Sequence, residues 1–368
     1  MSVPTVPVSA ADRLLVIRLG AVGDVLRTLP ALHLIRRTYA SVYVAWIVED
    51  LSRDLLEGHP QIDQVIRFPR REFAAEARRP HRLTARLGSL GQELRRHRFT
   101  IAVDFQGSLK SGILSLLSGA KARLGFAPGH AREMSSLFAN RWIRPRSRWM
   151  NRVERNLLMS EALGASGDEI IMNVQETEAE GREAEAILKQ VVPGPEPLVV
   201  LSPGTSRRQA YKRWPVDRFA RLAVQLRDRL GAVPLVAWGP GEEGMAAGIV
   251  RSSGGAAVPS PAIGLRVLAA LLRRASLFVG ADTGPMHLAW GVGCPVVALF
   301  GPTDPRLNAP LGENHVVLCG DTTTDGISTD EVFGAVRDAL ERSGGRLRSE
   351  APRLSRSTVF AARPGGDA

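Results

Sequence analysis

Short apolar runs alternate with stretches whose apolar residues recur every three or four positions, and this alternation occurs twice along the chain. In the first half, residues 14–18 (LLVIR), 42–48 (VYVAWIV), 65–68 (VIRF), 100–105 (TIAVDF) and 123–126 (RLGF) read as strands. Val25, Leu26, Leu29, Leu32 and Ile35 share a helical face, within which Pro30 predicts a kink or a restart. Phe73, Leu83, Leu87, Leu90 and Leu94 predict one Arg-rich amphipathic helix over 72–98. Further helices are expected from about Ser108 and over 153–163. The second half restarts with strands at 198–202 (LVVLS), 235–238 (LVAW), 277–281 (LFVGA) and 296–300 (VVALF). Its helices are expected from Pro215 to Gly231, over 265–273, and briefly over 286–291.

Repeated β-α-β units in both halves predict an α/β protein of two doubly wound, Rossmann-like parallel sheets facing a cleft. The expected division is an N-terminal domain over 1–164, a linker or hinge over 165–196 ending in the break PGPEP, and a C-terminal domain over 197–342. Residues 343–368 are polar, basic and rich in Gly, Pro and Ser, which predicts a disordered tail.

Composition narrows the class. A chain of 368 residues suffices for two domains with cores of their own. It has no apolar run near bilayer length and no secretory pattern at its start, and Cys294 and Cys319 have no metal-ligand spacing, so a cytoplasmic, reduced protein is expected. The net charge of +11 implies an anionic partner: nucleic acid, an acidic membrane surface or a phosphorylated substrate. Zinc-finger spacing and aromatic RNA-binding signatures are missing, which disfavours nucleic acid. The basic residues are nearly all arginine, so coding bias is a competing explanation of the charge.

The stretch 277–305, LFVGADTGPMHLAWGVGCPVVALFGPTDP, carries the most chemistry. A strand feeding a Gly-containing turn that opens a helix leaves unpaired N–H groups at the positive end of the helix dipole, suited to phosphate. Asp282 sits at the strand's carboxyl end, where open α/β sheets carry ligands. His287, one turn along, suits either a phosphate or simple packing. Asp24 follows a strand and a Gly loop and opens a helix, a position that also suits a plain N-cap. Lys212 lies in a loop between strand and helix, where a solvated lysine is the commonest alternative. Glu242 and Glu243 follow the turn GPG and could equally be acids favoured by a helix dipole. Asp104 and Gln106 end a strand of the first sheet and so point to the expected cleft.

The wording of these stretches is more specific than their topology. D-T-G-P-x-H-L-A followed by G-x-P-x-x-A-L-F-G-P-T, with R-x-G-x-x-G-D-x-L-x-T-x-P near the start and K-x-W-P between, resembles the bacterial heptosyltransferases of glycosyltransferase family 9. That family moves heptose from ADP-heptose onto a lipopolysaccharide sugar. The resemblance spans roughly residues 13–312 and departs near the C-terminus, where GDTTTDGISTDEV lacks a C-M-x-x-I pattern. It implies the GT-B architecture and a metal-independent, inverting transfer with no cofactor beyond the donor. It also implies an N-terminal domain that takes an anionic, lipid-linked acceptor at the inner face of the cytoplasmic membrane. Asp24, beside Gly23, would be the base that removes the acceptor proton, and Lys212 would offset charge on the leaving ADP. Thr205, Ser206, Thr283 and Gly284 would contact the phosphates, with Arg207 and Arg208 as helpers. Asp282 would bind heptose hydroxyls, and Glu242 or Glu243 the ribose. The basic face of 70–98 would suit an anionic membrane or a phosphorylated core. A same-fold transferase using another nucleotide sugar, a sugar-nucleotide epimerase and a non-catalytic nucleotide-sugar-binding module remain the alternatives.

Overall fold

The computed structural model describes residues 5–76, 78–192, 194–343 and 358–360, and the chain divides into two compact units, Met1–Asp168 and Glu169–Ala368. The first contains β1 (Arg13–Ile17), α1 (Val22–Leu26), α2 (Leu29–Thr38), β2 (Tyr43–Glu49), α3 (Asp50–Arg53), β3 (Gln64–Phe68), α4 (Arg70–Glu76), α5 (Pro80–Arg96), β4 (Ile101–Asp104), α6 (Leu109–Leu117), β5 (Ala122–Phe126), β6 (Arg141–Ile143) and α7 (Arg152–Ala162). Its six strands pair in the order β3-β2-β1-β4-β5-β6, all parallel. Central parallel strands are covered on both faces, so they must be apolar throughout. β2 meets this demand with five consecutive buried residues, Val44 to Val48. Leu15, Ile17 and Ala102 of the sheet pack against Leu90 and Leu94 of α5 and Leu114 of α6.

Proline sets two helix boundaries here. Pro30 stands in the first turn of α2, where its missing N–H is harmless, so α1 and α2 are separate helices and the restart is realised. Residues 72–98, expected as one helix, form two, because Pro80 opens α5. Only Leu90, Gly91 and Leu94 of α5 are buried, so its first half is largely exposed.

The second unit contains α8 (Glu178–Val191), β7 (Leu198–Ser202), α9 (Val216–Leu230), β8 (Val233–Val236), α10 (Glu243–Ser252), β9 (Val258–Pro259), α11 (Leu265–Arg274), β10 (Leu277–Ala281), α12 (Gly284–Gly291), β11 (Val296–Phe300), α13 (Pro305–Asn308), β12 (Gly312–Cys319), α14 (Thr329–Ser343) and β13 (Thr358–Phe360). All its strands are parallel, in the order β13-β12-β11-β10-β7-β8-β9. Counting from β7 outward, this is the same doubly wound order as in the first unit. The order reverses between β1 and β4 in one sheet and between β7 and β10 in the other, and ligand sites are expected at the carboxyl ends there.

Two expectations change. The segment 165–196 is not simply a hinge: α8 buries Ala184 and Ile187 against Val267, Ala270 and Leu271 of α11, and Arg266–Glu180 and Arg273–Glu176 ion pairs, each at 2.5 Å, tie the second unit together. An amphipathic helix with an apolar stripe packs where it can bury that stripe. Of the expected tail, Thr358–Phe360 forms an edge strand beside β12, and 344–357 and 361–368 lie outside the described residues.

The turns after β11 and β12 are packed without room. A Cβ on Gly301 would lie 2.4 Å from the Thr324 backbone nitrogen, which cannot move as a side-chain tip can. Gly301→Ala should destabilise the second unit by about 1–3 kcal/mol. Gly244→Ala, in α10 with nothing within 4 Å, should be neutral or stabilising by about 0.5–1 kcal/mol. Urea unfolding of the two variants beside the wild type checks both.

Candidate active site

In the first unit, β1 and β4 end level with one another, Ile17 facing Asp104 in register. The chain leaving β1 supplies Arg18 and Asp24, and the chain leaving β4 supplies Asp104, Gln106 and Gly107. Arg18 is 5% exposed and bridges the two: it donates to the Phe105 carbonyl and lies 2.9 Å from Asp24 Oδ1. Arg27 reaches the same oxygen at 2.5 Å and donates to the Gly23 carbonyl at 3.2 Å. Burial alone would raise the Asp24 pKa, but the Arg18, Arg27 and Arg152 guanidiniums outweigh it and hold the carboxyl well below the usual range. Its side chain keeps 22% exposure, enough to meet a ligand. Asp104 is buried. Its Oδ1 accepts from the Gln106 and Gly107 amides at 2.9 Å each and its Oδ2 from Ser111 Oγ at 2.9 Å. Burial pushes its pKa up to about 6 despite these bonds and the nearby Arg18.

Several of these groups border an open cavity lined by Arg18, Arg132, Arg152, Arg155, Gln106 and Phe126 among others. Arg155 stacks over the Phe126 ring at 3.8 Å and donates to the His130 carbonyl. Burial, with Arg152, Arg18 and Arg132 close by, pushes its pKa down to about 10. Four guanidiniums around one cavity leave it strongly positive, and planar guanidiniums suit carboxylate and phosphate oxygens.

In the second unit, Lys212 ends a 3₁₀ turn over 207–212 and is buried, 7% exposed. Its Nζ lies 3.0 Å from Asp282 Oδ2 and 3.2 Å from the Asp282 carbonyl. Asn308 Nδ2 reaches the same carboxylate oxygen at 3.3 Å, and His287 Nε2 lies 3.4 Å from the other. Asp282 is thus the hub where the ends of β10, α12 and α13 meet the Lys212 loop. Thr283, extended and buried, is the N-cap residue of α12, with Gly284 its first helical residue and Pro285 the second. Thr205 is buried and held by Arg213, which donates to its Oγ1 at 3.1 Å and its carbonyl at 2.9 Å. Glu242 Oε2 accepts from the Gly239 amide at 2.9 Å and lies where a Cβ on Gly204 would stand, 1.9 Å away. It therefore reaches the turn after β7, whereas Glu243 is exposed on the first turn of α10. Ser206, Arg207 and Arg208 are also exposed.

The structure thus gathers Lys212, Asp282 and His287 in one contact network and sets Asp24, Asp104 and Gln106 around the other switch point. Sequence reasoning missed Asn308, Arg213 and the arginines of the cavity. Arg18 was legible as part of the glycine-loop motif, but nothing in the sequence signalled its bridging role.

Two doubly wound sheets in one chain, each carrying buried charges at its switch point, give the two-domain α/β architecture of the GT-B type. The chain belongs to glycosyltransferase family 9 (heptosyltransferase), whose family model matches residues 87–331. It is 30% identical over 314 residues to lipopolysaccharide heptosyltransferase 1 of Pseudomonas aeruginosa, covering 84% of each chain. Among solved structures it resembles a glycosyl transferase family 9 protein from Veillonella parvula, at 21% identity and a TM-score of 0.75, covering 90% of this chain and 98% of that one. It also resembles E. coli heptosyltransferase WaaC with ADP-2-deoxy-2-fluoro heptose, at 25% identity and a TM-score of 0.70, covering 89% and 99%.

The two carboxylates of the first unit give opposite pH signatures. Asp24, depressed when folded, stabilises above its unfolded pKa of about 4, and this is lost as pH falls below that value. Asp104, raised when folded, stabilises fully below about pH 4, and this is lost as pH rises through about 6. The Asp104 contribution should fall by up to about 3 kcal/mol across that window, at about 1.4 kcal/mol per pH unit. Asp104→Asn keeps an acceptor for the two amides and should remove this decline. The difference between wild-type and variant unfolding free energies from pH 4 to 7 measures it.

Proposed function

We propose that this protein is an inverting heptosyltransferase that moves heptose from ADP-heptose to a hydroxyl of a lipopolysaccharide inner-core acceptor, working at the cytoplasmic face of the inner membrane. Membership of family 9 and the curated relatives support the sugar and the pathway. The observation that carries the donor assignment is the buried Lys212–Asp282 contact beside the turn that opens α12. Two of the three N–H donors of Lys212 are accounted for by Asp282. The third, with the amides of Thr283 and Gly284, gives a diphosphate a fixed cation and a helix N-terminus. Asp282 then holds sugar hydroxyls, His287 assists at the phosphate, Thr205 and Ser206 contribute hydroxyls, and Glu242 rather than Glu243 reaches the ribose. As the bond from the anomeric carbon to the diphosphate breaks, Lys212 meets the growing negative charge with no proton transferred.

The acceptor belongs to the first unit. Its arginine-lined cavity suits the acidic groups of an inner-core acceptor, with Gln106 and the Gly23 loop beside it. Asp24 takes the acceptor proton. A carboxylate held this low is a weak base toward a resting hydroxyl, but it suffices once the attacking oxygen has bonded to carbon and become strongly acidic. The proton therefore leaves late, and inversion needs only this one carboxylate. The low pKa keeps Asp24 ionised throughout the physiological range.

Asp24→Asn should lower kcat about 10²- to 10⁴-fold while leaving ADP-heptose affinity unchanged, as read by steady-state kinetics and calorimetry. Arg132→Gln should instead raise the acceptor KM by about tenfold with kcat nearly preserved. An equal loss of donor affinity in either variant would contradict this division of labour.

A further inference from the structure

Eight large apolar side chains are more than a third exposed among the described residues, and six of them, Leu109, Leu116, Met134, Leu137, Trp142 and Trp149, fall within one 41-residue stretch. Leu137 is 75% and Met134 68% exposed, values at which a leucine or methionine contributes nothing to a core. Hydrogen bonds draw four of them together. The Leu109 amide donates to Glu133 Oε2 at 3.2 Å, next to Met134, and Trp142 Nε1 donates to the Ser136 carbonyl at 3.1 Å, next to Leu137. The 3₁₀ turn over 135–138 lies tight on α6, where a Cβ on Gly112 would meet the Phe138 ring at 2.6 Å. The indole N–H of Trp142 is therefore satisfied by backbone while its ring stays 47% exposed.

The charge around this apolar cluster is one-sided. Between Gln106 and Met150 the chain carries eight Lys and Arg residues and a single carboxylate, Glu133. Lys110, Lys121, Arg141, Arg144, Arg146 and Arg148 are all exposed. Protein–protein interfaces deplete charge at their core, whereas surfaces that sit among lipid headgroups combine apolar and indole tips with Lys and Arg. Basic residues near an anionic leaflet contribute attraction that salt screens.

We propose that the surface formed by Leu109, Met134, Leu137 and Trp142, with Arg141 and Arg144, docks the protein on an anionic lipid bilayer. The apolar tips enter the headgroup region and the guanidiniums meet lipid phosphates. Arg132, which lines the cationic cavity, stands two residues before Met134. A lipid-linked acceptor held in the same bilayer is then presented beside its cavity, a purpose that rests on the function proposed above. The exposed first half of α5 is a competing basic surface. Its Arg86 is already engaged by Glu72 and Glu76, and none of the exposed large apolar residues lies on it.

Flotation with phosphatidylcholine vesicles, with and without phosphatidylglycerol, tests the surface directly. The wild type should float with phosphatidylglycerol-containing vesicles at low salt and not with phosphatidylcholine alone. The pair Met134→Ser and Leu137→Ser, and separately Arg141→Gln and Arg144→Gln, should each lower the partition coefficient by roughly tenfold or more. The Met134/Leu137 variant should transfer heptose to a deacylated, water-soluble acceptor at the wild-type rate, which shows that it is folded. Unchanged flotation of both variants would overturn the proposal. So would loss of flotation on replacing Arg78, Arg79 and Arg82 instead, or a wild-type dimer that the Met134/Leu137 variant converts to monomer without any vesicle binding. Vesicle binding that behaves as expected in a protein unable to use ADP-heptose would leave this surface standing and remove the proposed function.

Discussion

A charge buried at the end of a strand must be compensated on the spot, and this constraint organises both halves of the molecule. Removing a carboxylate or an ammonium from water costs several kcal/mol even after relaxation, and the attraction of a partner returns that only with close geometry and further hydrogen bonds. Asp282 meets the condition with Lys212 at 3.0 Å, Asn308 at 3.3 Å and His287 at 3.4 Å. Arg18, buried just past β1, meets it with Asp24 at 2.9 Å and the Phe105 carbonyl. A well-packed apolar pair would stabilise such positions at least as well, so their charge is better understood as preparation for a charged ligand.

The shared strand order makes the comparison between the two sheets specific. β4 and β10 occupy the same place, next to the first strand of each sheet; β4 ends in the buried Asp104 and β10 is followed at once by the buried Asp282. Their surroundings give them different tasks. Asp282 faces a lysine and anchors a network that several elements share. Asp104 takes two amides and a serine, so it fixes the turn at Gln106–Gly107 beside the arginine cavity, and burial raises its pKa to about 6. One topology thus places a buried lysine–aspartate pair in one unit and a fixed loop beside a cationic cavity in the other.

How much of this was legible depends on what each element must bury. β7, β10 and β11 match their sequence reading end for end, because a strand covered on both faces is an unbroken apolar run. β6 escaped notice since Arg141 and Trp142 are exposed at the sheet edge, and β12 because Glu313 and Asn314 interrupt its first half. α8 falls in the stretch expected as a linker and was not legible as part of the second unit, since the partner of its apolar stripe lies some eighty residues away on α11. Asp24, Lys212 and Asp282 stood out through their motifs. Arg132, Arg152 and Arg155 did not, because in a chain with 48 Lys and Arg residues only three-dimensional convergence separates a ligand-facing arginine from a solvated one. Glu242 and Glu243 are likewise adjacent in sequence, and only the turn at Gly204 distinguishes them.

The central claim is that Lys212, buried against Asp282, is the fixed cation for an adenosine diphosphate sugar. Thermal unfolding of the wild type and of Lys212→Ala with ADP, ADP-heptose, UDP and GDP tests it most directly, each shift being taken from the unliganded transition of the same protein. A ligand that binds only the folded state raises its stability by mass action. The account predicts that ADP stabilises the wild type, that ADP-heptose does so more, and that both shifts shrink sharply in the variant. Equal shifts in the two proteins, or a response confined to UDP or GDP, would contradict it.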